Sequence, residues 1–449
     1  MIPGEHRRGR SRAWPWALSI FFLAAILRGG MALSLPQHVI WPDGHRYVRI
    51  AGDLLAGDGF GSVSEDRASV PTQPLLIAGI ERVFGQNYLA LRLAFALLGA
   101  LTCVVAYFLA RELFGAGPFG PSVAIIAGGL LAIYPYYIYL SALFEYPQTF
   151  FILMMGLVFL LVYRHLRTGA LATLALAGGC LGVAVLAVPT TLAFVPVLAG
   201  CLLLLGMPRK SLRPALLGVL VLIGATVLPI AAWTARNYAA YGELILVNQA
   251  GGVNFWVANN ETYFKYGKDA VIPACGPRNE GRPHCKQVIR LEHELRAEHL
   301  SDAQYIIAEE AASWRAGWRF VLESPLRTVR LSLRKLVELW SPRPDATTVV
   351  GSAIERAKIW VSVLSYVPTL LLALCGVILL RREARRLLPI YAYVLTFTAV
   401  YSVFLPTTRY RLPLDFFLAI LAAYTLRRLA QALAVRRHRQ FTIAVTSGE

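Results

Sequence analysis

The sequence predicts an all-α polytopic membrane protein with about ten transmembrane helices, and three observations support this fold class. Hydrophobic residues make up 57% of the chain and charged residues 16%, whereas ordinary soluble proteins carry about 25% charged residues. Several long runs contain no Asp, Glu, Lys or Arg, and about 20 apolar residues are enough to cross a bilayer. The formal net charge is +18, but the basic residues lie at the ends of these runs, so no nucleic-acid partner is expected.

Ten segments are predicted to span the membrane. Four of them are the apolar stretches 14–35, 88–110, 147–163 and 412–426. The other six lie in the charge-free runs 113–144, 168–208, 214–235, 359–380 and 387–408. The run 168–208 counts twice, because the sequence VPTT at 188–191 favours a turn and predicts a hairpin of two spans.

The basic segments predict the orientation of the chain. With a cytoplasmic N-terminus, every short inner loop is basic, from HRRGRSR at the start to RREARR before the last two spans. This predicts a multi-pass protein of a bacterial inner membrane with both termini in the cytoplasm. The first span is longer than a signal-peptide core and contains Arg28, so a retained anchor is expected. Arg28 either faces a protein cavity with a partner or extends to the outer surface.

The spans divide the chain into three predicted parts. Residues 1–235 form an N-terminal transmembrane module with a first extracytoplasmic loop at 36–87. Residues 236–355 form an extracytoplasmic domain, expected to be a small mixed α/β region. Residues 356–449 form the C-terminal transmembrane helices and a basic cytoplasmic tail.

The first loop contains two predicted interfacial helices. In residues 44–56 the apolar positions recur at helical spacing, with Gly57 as a C-terminal stop and Asp43 at the N-cap. A second helix is expected at 73–84, where it returns the chain to the membrane. Asp43 is therefore predicted at the start of an interfacial helix.

A third amphipathic helix is predicted in the large loop, within ESPLRTVRLSLRKLVELW, with Ser324 as N-cap and Pro325 as its first residue. It places Arg327, Arg330 and Arg334 along one stripe, and we expect the helix to lie on the outer leaflet. The stripe either attracts lipid phosphates or is a solvated face.

The six cysteines divide by location. Four lie in apolar spans and are expected to be inert: Cys103, Cys180, Cys201 and Cys375. Cys275 and Cys285 lie in the loop predicted to be extracytoplasmic, which favours a disulfide between them. A zinc site that uses His284 is the alternative, although it lacks ligands.

Polar side chains gather at the predicted outer ends of the spans, in four places. These are Asp43 with His45 and Arg46, Glu145 before the span at 147–163, Arg236 with Asn237 and Tyr238, and Arg409 with Arg411 and Asp415. Carboxylates and guanidiniums at one depth fit a reaction in which a hydroxyl loses a proton to a carboxylate base while a phosphate leaves an arginine clamp. Alternatively, Asp43 is only an N-cap, Glu145 only an ion-pair partner and Arg236 only an interfacial anchor.

Three segments resemble the C-type membrane glycosyltransferases, in the branch that holds lipid A aminoarabinose transferases and bacterial protein O-mannosyltransferases. They are LRGGMALSLPQHVIWPDGHRYVRIAGDLLAGDGF, WTARNYAAYGELILVNQAGGVNFWVANN and RYRLPLDFFLA. The resemblance includes the first-loop aspartate, an Arg-Asn-Tyr motif followed by a glycine-rich strand, and the start of the last span. It implies a transmembrane bundle capped by an outer domain.

The resemblance also implies transfer of a sugar from a polyprenyl-phosphate donor to a lipid, glycan or protein acceptor outside the cytoplasm, with inversion at the anomeric carbon. Asp43 would then be the base and Glu145 the second acidic residue. The donor phosphate would be bound by Arg236, Arg67, Arg409 and Arg411, and the substrates by His45, Arg46, Asn237 and Tyr238.

The chain departs from the family pattern in two places. Asp43 is followed by Gly44 where many relatives have a second acidic residue, and the segment around Arg67 reads RASVPTQPLL. With Asp43 and Glu145 as the two candidate ligands, the sequence leaves open whether a divalent cation is used. A flippase or transporter of a lipid-linked precursor is the second hypothesis, but it predicts charges near mid-bilayer and matched broken helices. A scaffold for cell-envelope assembly is the third.

Overall fold

The computed structural model describes residues 13–60, 69–115, 119–206, 212–268, 302–344 and 353–446, with the single residues 271, 291 and 293. These parts are predominantly helical. The helices of the first half are α1 Ala13–Ser34, α2 Pro42–Ala56, α3 Thr72–Phe84, α4 Tyr88–Phe114, α5 Gly120–Ile133, α6 Pro135–Ser141, α7 Gln148–Thr168, α8 Leu171–Ala187 and α9 Phe194–Gly206. The second half adds α10 Arg213–Tyr241, α11 Gly251–Ala258, α12 Glu261–Tyr266, α13 Asp302–Glu323, α14 Pro325–Leu339, α15 Ala353–Leu379, α16 Leu388–Val403 and α17 Thr408–Thr446.

The apolar helices confirm a multi-pass membrane protein. Within the described ranges, seven helices are long and apolar enough to cross a bilayer, counting α9 with the 3-10 turn Pro189–Ala193 before it. The bent pair α5–α6 makes an eighth, and α8 and α16 are shorter apolar helices. Ten spans are reached only when these two are included, so the exact number stays a prediction. The turn at Pro189–Ala193 lies where the VPTT sequence predicted a break.

The predicted interfacial helices form with small differences. Helix α2 covers the predicted segment and ends at Gly57, which has a left-handed φ of 93°. Its N-cap is Trp41 and its first residue is Pro42, so Asp43 lies inside the first turn and makes no capping hydrogen bond. The prediction that Asp43 is the N-cap is therefore wrong. The carboxylate still benefits from the positive end of the helix dipole.

The large loop is helical wherever the structure describes it. The glycine-rich segment predicted as a strand forms α11 instead, and α11 packs against α13. No strand occurs among the described residues, so the mixed α/β region is not confirmed. Gly252 permits this packing, since a Cβ there would lie 2.4 Å from the carbonyl oxygen of Glu310. Close helix packing thus explains the glycine that the sequence pattern assigned to a strand.

Arg28 contacts the α5–α6 segment where it bends. These helices meet at 61° around Tyr134. The buried Arg28 guanidinium donates to the carbonyl oxygens of Leu131 and Ala132, each at 2.9 Å. The last carbonyls of a helix lack intrahelical partners, and a cation there is favourable. Of the two alternatives, Arg28 has the buried partner and does not extend to the surface.

Helix α17 is the centre of the bundle. Between Leu412 and Ala423 it is buried on nearly all sides, as expected of a helix that is apolar all round. It packs against α5, α7 and α15. The outer helices expose large apolar residues instead, for example Ile26 on α1 and Leu228 on α10. Such surfaces are typical of a lipid-facing belt.

The chain segments between spans meet at two ends. At one end, which we call the site end, Arg92 at the start of α4 contacts His38, Arg409 at the start of α17 contacts Asp43, and Phe60 packs on Trp233 near the end of α10. At the opposite end Arg167 pairs with Glu112. All four predicted polar clusters therefore lie at the site end, as the hydropathy pattern required.

Candidate active site

Asp43 is paired with Arg409. The Arg409 Nη1 atom donates to Asp43 Oδ2 at 3.3 Å, and the Arg46 Nη2 atom lies 4.0 Å from Asp43 Oδ1. The Asp43 side chain remains 40% exposed. This leaves a solvent-accessible carboxylate between two guanidiniums, at the end of an apolar bundle.

Aromatic rings fix the position of Arg409. Its guanidinium carbon lies 4.5 Å from the ring centroid of Tyr146 and 5.1 Å from that of Tyr410. Burial raises the pKa of the Tyr146 phenol more than the nearby arginine lowers it, so Tyr146 stays neutral. An arginine stacked over a ring directs its N–H donors outward from the edge of its guanidinium, where they can bind phosphate oxygens.

Tyr47 lies next to the Asp43–Arg409 pair. It is buried one turn after Asp43, and burial, followed by the negative charge of Asp43, raises its pKa to about 12. The phenol is therefore neutral at physiological pH. Arg46 stacks on this ring, with 5.7 Å between its guanidinium carbon and the ring centroid. His45, predicted to bind substrate, is exposed on the other side of α2.

Glu145, unlike Asp43, is not exposed to solvent. Its side chain and that of Arg92 are both fully buried, and Arg92 Nη2 donates to Glu145 Oε1 at 3.2 Å. The same oxygen accepts a hydrogen bond from the Ile40 backbone N–H at 3.1 Å. The geometry therefore points to a positioning role for Glu145 rather than a role in proton transfer.

Arg92 ties the first loop to the bundle. Besides Glu145, it donates to the carbonyl oxygens of His38 at 2.8 Å, Ala142 at 3.1 Å and Pro36 at 3.2 Å. All three guanidinium nitrogens are used, which is the condition for burying this charge. The Arg92–Glu145 pair thus holds the segment that leads into α2 and Asp43.

Gly44 explains one departure from the family pattern. A Cβ at this position would lie 2.5 Å from Glu145 Cγ and 2.7 Å from Val39 Cγ1. Helix α2 therefore rests its first turn directly on the buried Glu145 side chain. A second acidic residue after Asp43 has no room here.

Arg236 belongs to a separate aromatic cluster. Its guanidinium carbon lies 5.2 to 5.3 Å from the ring centroids of Phe60, Trp233 and Tyr241. Asn237, predicted to bind substrate, is buried and donates to the Ile245 carbonyl oxygen at 2.9 Å. The contacts described for Arg236 do not include Asp43 or Arg409. The structure therefore places Arg236 at the site end without joining it to the pair.

Other predicted site residues lie elsewhere. Tyr238 is exposed. Arg411 is buried against Asp415 at 3.4 Å, stacks on Tyr366 and donates to the Ser341 carbonyl oxygen, so it points into the protein. Arg67, Cys275, Cys285 and His284 lie outside the described residues.

Sequence reasoning missed Arg92, Tyr146 and Tyr410. Arg92 stands in the apolar segment YLALRLAF, and an arginine near the start of a span was the available signal. Tyr146 and Tyr410 each adjoin a residue that was selected, Glu145 and Arg409. Aromatic residues beside charged residues at a membrane interface are often only interfacial anchors, so the sequence pattern did not mark Tyr146 and Tyr410 as site residues.

The residues of the site do not fit a shared divalent cation. The negative charge of Asp43 is balanced by Arg409, and that of Glu145 is balanced by Arg92. Glu145 also lies beneath the backbone of Gly44. No group of three His, Cys, Asp or Glu side chains suited to a metal occurs in the described parts of the chain. A cation ligated by both carboxylates would have to displace two arginines.

Comparisons with known proteins agree with this architecture. The family model "Dolichyl-phosphate-mannose-protein mannosyltransferase" matches residues 67–233. The oligosaccharyltransferase AglB from Archaeoglobus fulgidus, solved with an inhibitory peptide and a dolichol-phosphate, is similar at 15% identity with a TM-score of 0.54, over 95% of this chain and 52% of that chain. ArnT from Cupriavidus metallidurans, solved with undecaprenyl phosphate, is similar at 18% identity with a TM-score of 0.42, over 94% of this chain and 78% of that chain. No curated protein sequence matches.

The family-model match and the match to AglB confirm the predicted resemblance to C-type membrane glycosyltransferases. The backbone match to AglB shows that the chain has that fold, and the family-model match covers the segment from the first loop into α10. The chain spans about half the length of the archaeal oligosaccharyltransferase that it matches.

Proposed function

We propose that the chain is an integral membrane glycosyltransferase that moves a sugar from a polyprenyl-phosphate donor to an acceptor hydroxyl. The observation that carries this proposal is the Asp43–Arg409 pair, an accessible carboxylate beside a stacked guanidinium at the end of a lipid-embedded bundle. A base for a hydroxyl and a cation for a leaving phosphate are the two groups that such a transfer needs.

Asp43 is the proposed base. It accepts the proton of the acceptor hydroxyl as the oxygen forms a bond to the anomeric carbon, and its 40% exposure lets the proton pass to water afterwards. Attack from the face opposite the leaving group gives inversion.

Arg409 is the proposed contact for the leaving phosphate. The bond between the anomeric carbon and the phosphate oxygen breaks, and the polyprenyl phosphate leaves with the electron pair. Arginine has five N–H donors, so Arg409 can keep its bond to Asp43 while its other donors bind phosphate oxygens. Arg236 is a second candidate contact, because it caps the exposed apolar face of α10 along which a polyprenyl tail can lie.

We further propose the orientation and organisation predicted above. The site end faces away from the cytoplasm of a bacterial inner membrane, both termini are cytoplasmic, and residues 236–355 form the outer domain between two transmembrane parts. Support comes from the basic residues at the opposite end, where Arg167 pairs with Glu112 and Arg386 donates to the carbonyl oxygen of Glu112 at 2.6 Å.

The test is a transfer assay on the purified full chain. The protein is incubated with polyprenyl-phosphate hexoses and pentoses together with mixed lipid, glycan and peptide acceptors, and release of free polyprenyl phosphate is measured. A glycosyltransferase releases it only when an acceptor is present. A flippase moves the donor between leaflets of a vesicle and leaves it intact, so translocation without release would reject the enzyme.

A further inference from the structure

Helix α14 has two unlike faces. Leu331, Lys335 and Leu339 are buried against the rest of the protein. On the opposite face Leu326, Val329, Leu333 and Val337 are between 57% and 77% exposed, and we call these four residues the apolar stripe. Successive residues of a helix turn by about 100°, so Leu333 lies roughly 200° from both Leu331 and Lys335.

The contacts of α14 place the apolar stripe at the level where spans end. Lys335 Nζ donates to the carbonyl oxygen of Val403, the last residue of α16, at 2.8 Å. Just after α14, the carbonyl oxygen of Trp340 accepts from the Tyr366 hydroxyl at 3.3 Å, and that of Pro342 accepts from Ser362 Oγ at 2.6 Å. Ser362 and Tyr366 lie inside the spanning helix α15.

The exposed surface of α15 begins at the same level. Trp360 and Leu364, which flank Ser362, are exposed large apolar residues of a membrane span. Ser362 and Tyr366, on the other face of α15, contact the segment that follows α14, so the apolar stripe lies at the same level as this exposed surface of α15. Four adjacent aliphatic side chains are seldom left in water.

Basic residues follow one edge of the stripe. Arg330 is exposed, and Arg327 and Arg334 lie on the same side of the helix, where they pair with Glu261 at 3.1 Å and Glu338 at 2.9 Å. An apolar face edged with arginines is typical of a helix that lies in the plane of a membrane, with its charges among lipid phosphates.

We infer that the apolar stripe of α14 is buried in the acyl chains of the membrane beside α15, and that Arg330 binds the phosphates of anionic lipids there. The membrane is favoured over a protein partner because the stripe lies at the level where exposed apolar spans end and has a basic edge that complements anionic headgroups. The interaction anchors the large loop on the bilayer next to the site end. It does not depend on the proposed transfer reaction.

The test uses the full chain in nanodiscs that contain equal amounts of phosphatidylglycerol and phosphatidylcholine. A photoreactive p-benzoylphenylalanine replaces Leu333 in one sample and the exposed Lys265 in a control sample, and adducts are identified by mass spectrometry. We expect lipid adducts at position 333 and not at position 265. Cross-links at position 333 to a second copy of the chain, or no adduct at all, would overturn the inference.

The role of Arg330 is tested in the same system. In the Arg330→Gln variant the share of phosphatidylglycerol among adducts at position 333, expressed as the ratio of phosphatidylglycerol to phosphatidylcholine adducts, should fall about fivefold, the change expected for one basic residue near an anionic surface. Arg167→Gln removes an equal charge at the opposite end of the bundle and should leave that share unchanged. An unchanged share in Arg330→Gln contradicts the assignment of the phosphate contact to Arg330.

Discussion

Asp43 and Arg409 are 366 residues apart in the chain, yet Asp43 Oδ2 and Arg409 Nη1 lie 3.3 Å apart at the site end. The pair joins the first helix after the first span to the start of the last span. It therefore exists only in the folded bundle, and it brings together the two groups that the proposed transfer requires.

The first prediction concerns the shape of the Arg409 side chain. Arg409→Lys keeps the positive charge but loses the planar fork and its stacking on Tyr146, so kcat/KM should fall about 100-fold. The measurement is the steady-state rate of polyprenyl phosphate release. Arg49→Lys, which alters an arginine on α2 that pairs with Asp53, is the matched control and should be near wild type. Equal losses in both variants would contradict a specific role for Arg409.

The second prediction concerns Gly44. In Gly44→Ala the new Cβ meets Glu145 Cγ, which should destabilise the protein by about 1–3 kcal/mol and lower activity by displacing Asp43. The control is Gly52→Ala on the same helix, where a Cβ meets nothing within 4 Å, and where alanine should stabilise by about 0.5–1 kcal/mol. Thermal unfolding in detergent compares the two variants. The same midpoint for both would mean that α2 does not rest on Glu145.

The third prediction separates positioning from catalysis at position 145. Glu145→Gln leaves Arg92 buried without its charge partner and should cost about 3 kcal/mol of stability. Because Glu145 is fully buried and paired with Arg92, kcat per folded molecule should remain close to wild type. Active-site titration below the unfolding midpoint supplies that value. A loss of kcat as large as that of Asp43→Asn would make Glu145 a catalytic residue.

The fourth prediction is a pH dependence of stability from Lys335. Burial lowers its pKa from 10.5 to about 7, and the neutral amine still donates to Asn259 Oδ1 and the Val403 carbonyl oxygen. Between these two values the unfolded chain binds more protons than the folded one, so stability should rise with pH from about 7 to about 10. The slope is at most about 1.4 kcal/mol per pH unit. In Lys335→Met this rise of stability with pH should be absent. The same slope of unfolding free energy against pH in the variant and the wild type would contradict the prediction.

The fifth prediction concerns divalent cations. Since each site carboxylate already has an arginine partner, transfer should proceed at the same rate after chelation of divalent cations and dialysis. The rate of polyprenyl phosphate release is measured before and after treatment. Loss of activity that returns with one added metal would show that the carboxylates exchange their arginines for a cation.

The sequence predicted how far along the spans each polar residue lies, but it did not predict which spans are neighbours. Runs of apolar residues placed Asp43, Glu145, Arg236 and Arg409 at one level, because hydropathy reports how far a residue lies along a span. Hydropathy does not report which spans are neighbours, so the contact of Asp43 with Arg409 and the separate cluster around Arg236 came only from the packed bundle.

The features that sequence reasoning missed have the same physical origin. Arg92 is paired with a glutamate 53 residues away, and no local pattern marks such a partner. The glycine-rich segment 251–258 became a helix because Gly252 permits close packing on α13, a tertiary effect that overrides local preference. In the sequence Gly44 is only a departure from the family pattern, and its contact with Glu145, which explains it, is visible only in the structure.

The most direct measurement is the rate of sugar transfer by Asp43→Asn beside its control Asp53→Asn, the same change ten residues later on α2. Our prediction is that Asp43→Asn folds with an unchanged unfolding midpoint and binds the donor, yet transfers sugar about 100- to 10,000-fold more slowly because the base is gone, while Asp53→Asn transfers at the wild-type rate. Transfer by Asp43→Asn at the wild-type rate would contradict it.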